Sequence, residues 1–279
     1  MLQKNIIFNS LKETFKLLWK NKSLFLLLFV LQLIFFIIFS FISIAYQTKI
    51  LESAKAITEY LSKQKLDESS VASNILQQKN LLGDNPLSIS ANFKEIVKNF
   101  RFYLVYTFLL LIFFISISWA ITNKIIHRTS FKHLTNYFLK IFVVLLFYLG
   151  PIFYFFLSLV NISFTDIRND AAKLLTKYIP FLIFSMILAY FMFVSLSSLN
   201  NTELKSIVQK TLRIGIKKAH YVLSAYFINI LLFIVAAVLL FYFLEKNVFV
   251  LLLSLVLMIF SFIFGRIFMM NVVEKLDKN

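Results

Sequence analysis

The chain has 279 residues, of which 60% are hydrophobic and 15% charged, and its 29 Lys and Arg against 13 Asp and Glu give a formal charge of +16. An ordinary soluble domain is about 45–50% apolar and about 25% charged, so this composition excludes a soluble globular protein. The absence of cysteine and the presence of only four glycines, each isolated, exclude disulfides, thiolate metal sites and glycine-rich phosphate loops. A nucleic-acid binder would not need long apolar stretches, so we expect no nucleic-acid partner and attribute the charge to membrane topology.

Long apolar runs with few or no charges occur at six places in the chain. In chain order, the runs cover residues 24–46, 102–122, 138–160, 178–199, 221–244 and 247–270. A helix needs about 20 apolar residues to cross the hydrocarbon core of a bilayer, and each run meets that length. The runs lack the period-two alternation of a barrel strand. The sequence therefore predicts an all-α fold, a polytopic helical bundle of six transmembrane helices that forms a single membrane domain over residues 1–279.

The segments between the runs carry unequal charge on the two sides of the membrane. One side consists of an amphipathic helix at 1–23, a basic segment at 123–137, an amphipathic helix at 200–220 and a tail at 271–279. With the span ends beside them, these segments hold 17 basic and 4 acidic residues, a net +13. The other side holds 12 basic and 9 acidic residues, a net +3. Because basic loops stay in the cytoplasm, we predict a multi-pass protein of the cell membrane with both termini cytoplasmic.

The two main segments on the external side are loops at 47–101 and 161–177. The first is too long for a simple connector, and the sequence predicts a small cap that contains short helices. Such a cap either covers the outer end of the bundle or binds a ligand or partner, and the sequence leaves both interpretations open.

The first cytoplasmic segment has the pattern of a basic amphipathic helix. Apolar residues at steps of four, four and three mark one face: Ile7, Leu11, Phe15 and Leu18. Lysines mark the other face: Lys12, Lys16 and Lys20. This spacing places each set on a single side of an α-helix, which is typical of a helix at the membrane surface.

The segment at 200–220 repeats the pattern, with one apolar face and one basic face. The apolar face consists of Leu204, Ile207, Val208, Thr211 and Leu212, and the other carries Lys205, Lys210, Arg213 and Lys217. The middle segment, with Arg128 and Lys132, follows it more weakly. The chain is therefore interpreted as a threefold internal repeat of surface helix, span, outer loop and span.

The basic residues of these segments are the main candidates for contact with a lipid or a partner: Lys12, Lys16, Lys20, Arg128, Lys132, Lys205, Lys210, Arg213, Lys217 and Lys218. Lysines near a membrane surface attract anionic headgroups, and this is the first interpretation. The same faces would also suit a cytoplasmic platform on which a soluble protein partner docks. A third interpretation is that the charges only fix the orientation of the chain.

Few polar residues lie within the predicted spans. The spans contain no Asp, Glu or His, which argues against proton transport through carboxylate relays. Gln32 and Asn229 either join helices by hydrogen bonds or line a polar path. Gly150 and Pro151 predict a kink in the third span, which serves packing or marks a transporter site. Arg266 is expected to reach the cytoplasmic headgroups as an anchor.

The sequence offers no recognisable catalytic or cofactor site. The three histidines, His127, His133 and His220, lie in basic segments, and none has the spacing of a zinc ligand pair. Serines lack the flanking glycines of a nucleophile elbow. We therefore expect no catalytic residue, no metal and no cofactor, and we expect that the chain is not an enzyme.

Two similar segments lead into spans and carry a family resemblance. They are SLKETFKLLWKN at 10–21 and TLRIGIKKA at 211–219. The arrangement resembles the six-span membrane domain superfamily that is found fused to glycerophosphodiester phosphodiesterases, with stand-alone relatives in bacteria and archaea. The resemblance covers most of the chain through its pattern and implies a fold without an activity. The chain departs from that family because it lacks the catalytic barrel and has few glycines.

Two functional hypotheses follow from the sequence. The first is a non-enzymatic membrane scaffold or accessory subunit whose basic helices engage anionic lipid or a cytoplasmic partner. The second is a membrane permease subunit or a lipid-translocating transporter, with the second, third and fifth spans forming the path. A hydrated groove lined by Gln32, Asn229 and span serines would favour the second hypothesis.

Overall fold

The computed structural model describes residues 6–63, 86–127, 131–160, 164–199, 204–243 and 248–278. Over these ranges the chain forms eight helices and no strand. The helices are α1 (Ile6–Lys20), α2 (Lys22–Lys63), α3 (Pro86–His127), α4 (Phe131–Leu159), α5 (Phe164–Ser198), α6 (Leu204–Lys217), α7 (Ala219–Tyr242) and α8 (Val248–Lys278). The prediction of an all-α fold is confirmed.

Six of these helices, α2, α3, α4, α5, α7 and α8, are long and apolar enough to cross a membrane. Their most apolar stretches have a mean hydropathy between 2.3 and 3.0. Only 6% of the corresponding stretch of α2 is buried by the rest of the protein, so its apolar surface needs a lipid solvent. The chain is therefore a multi-pass integral membrane protein, as the six apolar runs predict.

The helices extend beyond the predicted spans at several ends. Both α2 and α3 have 42 residues, about twice the ~20 that a span needs. Residues 47–63 and 86–101, predicted as parts of the outer loop, therefore continue these two helices, and residues 64–85 lie outside the described part. α4 remains helical through Gly150 and Pro151. The predicted tail is helical as far as Lys278.

The chain divides into two compact units. The first comprises Met1–Phe36, Leu111–Phe153 and Ala172–Asn279, and the second comprises Ile37–Leu110 and Tyr154–Ala171. The division falls within α2, α3, α4 and α5, so each of these helices contributes to both units.

The second unit is joined by contacts between the later part of α2 and the earlier part of α3. The hydroxyls of Ser43 and Tyr103 are hydrogen bonded at 3.3 Å. The rings of Tyr46 and Tyr106 stack with centroids 5.9 Å apart. Aromatic and hydroxyl pairs of this kind hold two helices in register without burying a large apolar core.

The first unit has its core around the second half of α8. Every residue from Ile267 to Val273 is buried, on all sides of the helix. A helix that is covered all round occupies the centre of its bundle. α7 forms the most extensive pairing with α8, and α1 and α6 also pack on it. α8 is thus the central helix of the first unit.

α1 packs on α8 through small polar residues. The buried face of α1 consists of Ile6, Ser10, Thr14 and Leu18. The Thr14 hydroxyl donates to the Ser10 carbonyl at 2.8 Å and accepts a hydrogen bond from Asn271 Nδ2 at 2.9 Å. The face predicted from the apolar pattern overlaps this one, because Leu18 is buried and Ile7 and Leu11 pack against the same core. Short side chains at four-residue spacing allow two helices to approach closely.

The hydrogen bond between Thr14 and Asn271 gives a test of this packing. Thr14→Val keeps the shape of the side chain but removes the acceptor for the buried Asn271 amide. The variant is expected to lose about 1–3 kcal/mol of unfolding free energy, the cost of a buried donor without a partner. Unfolding in detergent micelles, followed by circular dichroism, measures the change.

Thr48→Val is the matched control. Thr48 is exposed and its hydroxyl donates to the Ile44 carbonyl at 2.8 Å, the same local bond that Thr14 makes. Its replacement is expected to change stability by no more than about 0.5 kcal/mol. Equal effects of the two substitutions would contradict a stabilising contact between α1 and α8.

Candidate functional site

α6 packs on the bundle through a face like that of α1. Its buried residues are Ile207, Thr211, Ile214 and Gly215. The Thr211 hydroxyl is hydrogen bonded to the Ser195 hydroxyl of α5 at 3.0 Å. Ser195 is in turn bonded to the hydroxyl of Tyr148 in α4 at 2.8 Å. This buried chain of hydroxyls ties α6 to two membrane-spanning helices.

Gly215 allows α6 to lie close to α5. A Cβ atom at this position would lie 2.8 Å from the ring of Phe191. The Tyr190 hydroxyl donates to the Gly215 carbonyl at 2.7 Å. A larger residue would force either α6 or the Phe191 ring to move, so the glycine fits the close approach of the two helices.

The buried faces of α1 and α6 correspond position by position. In the alignment of the two similar segments, the equivalent pairs are Ile6 with Ile207, Ser10 with Thr211, and Thr14 with Gly215. Each face therefore has one branched apolar residue followed by small residues at steps of four. In the middle segment, residues 128–130 and the side chains of 131 and 132 lie outside the described part.

The last turn of α8 makes ion pairs with the surface helices; we call Glu274 to Lys278 the α8 terminal turn. Lys275 pairs with Glu13 of α1 at 2.7 Å. Asp277 pairs with Lys210 at 2.7 Å and with Arg213 at 2.8 Å, both in α6. Glu274 lies 3.9 Å from His127 at the end of α3, a pair that is ionic only when the histidine is protonated. The α8 terminal turn thus contacts α1, α6 and the end of α3.

The remaining faces of α1 and α6 are largely exposed, although the Phe15 ring lies 4.9 Å from the buried ring of Phe264 in α8. On α1, large apolar residues are exposed between lysines: Phe8, Phe15 and Trp19. On α6, the exposed apolar residues are Val208, Leu212 and Ile216. Trp19 is 77% exposed, and Lys22 Nζ lies 4.4 Å from the centre of its ring. We call these outward faces, with Lys12, Lys16, Lys20 and Lys217, the basic platform.

The structure separates the predicted basic contact residues into two groups. Lys12, Lys16, Lys20 and Lys217 are exposed. Lys210 and Arg213 pair with Asp277, and the Lys218 ammonium donates to the Leu276 carbonyl, so these three residues hold α6 on α8. Arg128 and the side chains of Lys132 and Lys205 lie outside the described part.

The other predicted site residues are not gathered in one place. Gln32 is half-buried on α2, and a Cβ atom added to Gly150 would meet no side chain and no other helix within 4 Å. Asn229 on α7 donates from Nδ2 to the Gly265 carbonyl of α8 at 3.2 Å. Asn229 therefore joins two helices, which is the first of its two predicted roles, and it also lines a cavity.

That cavity has a volume of about 260 Å³ and lies among α3, α5, α7 and α8. We call it the Arg266 pocket. Its walls are mostly apolar, with Trp119 and Met269 buried, and its polar side chains are Tyr226, Asn229, Ser261 and Arg266. Gly265 makes room for Asn229, since a Cβ there would lie 3.2 Å from the amide.

The Arg266 side chain, which the sequence predicts as an anchor at the headgroups, has part of its guanidinium inside the bundle. Its Nε and Nη2 atoms are buried and have no hydrogen-bond partner among the described residues. Asn229 Oδ1 is also buried without a partner there. A single sequence places Arg266 near the end of a span but cannot show that the side chain turns inward, toward α3 and α7.

A second cavity, of about 510 Å³, lies between α2 and α3 in the second unit. Its lining includes charged residues of both signs, Lys49, Glu52, Glu95 and Lys98. Lys98 Nζ lies 3.2 Å from Glu95 Oε1, and both side chains are more than half exposed. This cavity is an open, electrically balanced groove, and neither Gln32 nor Asn229 lines it.

Neither a metal site nor a known relative identifies the site. Among the residues that the structure describes, no group of three or more His, Asp or Glu residues could hold a metal ion. Comparisons with protein-family models, with curated proteins and with solved structures gave no match to the chain. The site must therefore be interpreted from its own chemistry.

The small residues on the buried faces of α1 and α6 are not identified by a pattern of hydrophobic and basic residues. Ser10, Thr14 and Gly215 are neither apolar nor charged, so such a pattern does not predict them as contacts. The signal that could have identified them is the recurrence of small residues at steps of four, which is typical of closely packed helices in membranes.

The ion pairs of Asp277 predict a specific effect of one substitution. Asp277→Asn removes the negative charge that Lys210 and Arg213 share, and it is expected to lower the unfolding free energy by up to about 1 kcal/mol, since the pairs are partly exposed. The loss should shrink at high salt, because ions screen such pairs. Thermal unfolding in detergent at low and high salt measures it.

Glu95→Gln is the control for Asp277→Asn. It removes an exposed carboxylate that pairs with Lys98 within one helix, and its effect is expected to stay within about 0.5 kcal/mol. A destabilisation by Asp277→Asn that does not depend on salt would argue against an ionic contact.

Proposed function

We propose that this chain is a non-enzymatic membrane scaffold or accessory subunit that engages anionic lipid headgroups through its basic platform. The observation that carries the proposal is the arrangement of α1 and α6. Small residues pack α1 on α8 and α6 on α5, ion pairs join both helices to α8, and most of their aromatic, aliphatic and lysine side chains remain exposed. Such a surface matches the chemistry of the boundary between acyl chains and headgroups.

The lysines and the tryptophan of α1 support this proposal most directly. Lys12, Lys16 and Lys20 are exposed on a helix whose Glu13 is paired with Lys275. Each cation near an anionic surface contributes about 1 kcal/mol. Trp19 has the amphipathic ring that is enriched at membrane interfaces. Together these residues favour anionic over zwitterionic lipid.

The orientation is part of the same proposal. The side with a net charge of +13 includes α1, α6 and the α8 terminal turn, and the positive-inside rule places that side in the cytoplasm of a cell membrane. The basic platform would then face the cytoplasmic leaflet. A soluble cytoplasmic partner protein with an acidic surface could bind to the same lysines.

The alternative of a permease subunit or a lipid-translocating transporter has less support from the geometry. Gln32 lines neither of the two cavities described above, whereas Asn229 lines the Arg266 pocket. Ser116 and Ser254 donate to carbonyls of their own helices. The proposal also does not draw on the resemblance to the phosphodiesterase-fused membrane domain, which concerns the fold alone.

The lipid proposal predicts that a triple variant loses its preference for anionic over zwitterionic lipid. Replacement of Lys12, Lys16 and Lys20 by Gln should lower the ratio of phosphatidylglycerol to phosphatidylcholine retained by the purified protein. Three cations at about 1 kcal/mol each correspond to a change on the order of a hundredfold, less where salt screens them. Native mass spectrometry of protein with bound lipid, released from mixed micelles, measures the ratio.

A control variant carries the same charge change elsewhere. Lys49, Lys55 and Lys98 are exposed on α2 and α3, and their replacement by Gln should leave the retained ratio unchanged. If both triple variants reduce the ratio equally, the effect reflects total charge rather than the basic platform, and the proposal fails.

The orientation is tested by introducing single cysteines and labelling them in intact cells. Because the chain has no cysteine of its own, each introduced residue is the only thiol that can react. Lys217 on α6 and Glu52 on α2 are both exposed positions. An impermeant maleimide should label Glu52→Cys in intact cells and Lys217→Cys only after permeabilisation. The opposite pattern would place the basic platform outside the cell.

A further inference from the structure

Among the residues that the structure describes, no acidic side chain of the first unit forms an ion pair with Arg266. An arginine stays protonated at physiological pH, and a buried charge without a partner is strongly destabilising. The described acidic residues of this unit are Glu13, Glu274 and Asp277. Each of them is paired with a lysine, at 2.7, 2.6 and 2.7 Å respectively. The partner of Arg266 must therefore be sought outside this set.

The Arg266 pocket supplies space for such a partner. The unpartnered Nε and Nη2 atoms of Arg266 are donors, and the unpartnered Oδ1 atom of Asn229 is an acceptor. Both side chains line the same cavity. A guanidinium binds carboxylate or phosphate oxygens through paired hydrogen bonds. A ligand that also carries a hydroxyl would satisfy Asn229.

The walls of the pocket define the rest of the ligand. Trp119 and Met269 are buried, at 1% and 3% exposure, whereas Ile230 is 53% exposed and belongs to the outer rim. Phe233 and Phe262 are exposed beside it. This rim is apolar, on helices that span the membrane, so a chain that leaves the pocket passes directly into hydrocarbon.

The size of the pocket agrees with a partly enclosed ligand. Its volume of about 260 Å³ is below the roughly 300–1,000 Å³ of pockets that enclose a whole small molecule. It can hold one charged head and the first part of a chain. The rest of the ligand would remain in the bilayer beyond Ile230.

We propose that the Arg266 pocket binds the anionic head of an acyl-chain amphiphile, with its carboxylate or phosphate oxygens on Arg266 and its chain leaving past the apolar rim. The ligand comes either from free fatty acid or from a phospholipid, because both present anionic oxygens at the end of an acyl chain. This site is separate from the basic platform, and it does not depend on the lysines of α1 or α6.

Trp119 provides a reporter inside the pocket. The chain has two tryptophans, and Trp19→Phe removes the exposed one, so that fluorescence comes from Trp119 alone. The probe is palmitate brominated at the carbon next to its carboxylate, which places the quencher beside the head. Its methyl ester is the neutral control. The full-length protein in nonionic detergent should show saturable quenching by the acid and at least tenfold weaker quenching by the ester.

Two variants test the role of the pocket. Arg266→Gln removes the charge and should weaken quenching by the brominated acid about tenfold or more, the effect of losing a charge-assisted hydrogen-bonded pair. Ser261→Leu fills the pocket from its wall, keeps Arg266 and should also weaken quenching, which preserves the test if Arg266→Gln does not fold. Undiminished quenching in folded protein of either variant overturns the proposal, as does equal quenching by acid and ester.

Competition distinguishes the sources of the ligand and separates this proposal from the proposed function. Unlabelled palmitate or phosphatidylglycerol should relieve the quenching, and the more effective competitor identifies the source. Relief by inorganic phosphate alone would overturn an acyl-chain ligand. The triple replacement of Lys12, Lys16 and Lys20 by Gln should leave the quenching of Trp119 unchanged. A loss of quenching in that variant would assign the probe to the basic platform and overturn the pocket.

Discussion

The close approach of α1 to α8 and of α6 to α5 is the contact on which the first unit depends. Small residues keep α1 near enough to α8 for the Asn271 amide to donate to the Thr14 hydroxyl, and they keep α6 near enough to α5 for Thr211 and the Gly215 carbonyl to bond to its hydroxyls. Apolar burial provides little attraction between helices in lipid, so packing and hydrogen bonds must hold them. Because those contacts use one face of each helix, Phe8, Trp19 and the lysines of α1 stay exposed.

The number and approximate position of the spans could be predicted from the sequence, because bilayer thickness fixes the length of an apolar run. The packed faces of α1 and α6 could be predicted only in part. The apolar pattern includes Leu18, Ile207 and Thr211, which are buried. It misses Ser10 and Thr14, which are selected by side-chain size. The position of Arg266 is a related case, since sequence gives its depth but not the direction of its side chain.

The ion pairs alter the interpretation of the basic side, the one with a net charge of +13. Asp277 and Glu274 reduce the net charge in a sequence count, yet each neutralises particular residues at the end of the bundle. Asp277 forms ion pairs with Lys210 and Arg213, so the outward charge of α6 is smaller than its composition indicates. The outward charge is concentrated on α1, where three lysines lie on one helix face. A soluble partner or an anionic lipid would therefore meet an uneven surface.

The bond between Thr14 and Asn271 joins residues that are 257 positions apart in the chain. At a synthesis rate of about 5–20 residues per second, α1 leaves the ribosome roughly 10–50 s before the segment of α8 on which it packs. During that interval the Thr14 hydroxyl keeps its bond to the Ser10 carbonyl but lacks the amide of Asn271 as a donor. If α1 lies at the membrane surface as proposed, Phe8 and Trp19 would hold it there meanwhile. The aromatic side chains that stay exposed in the finished protein would then keep α1 in place until α8 is inserted.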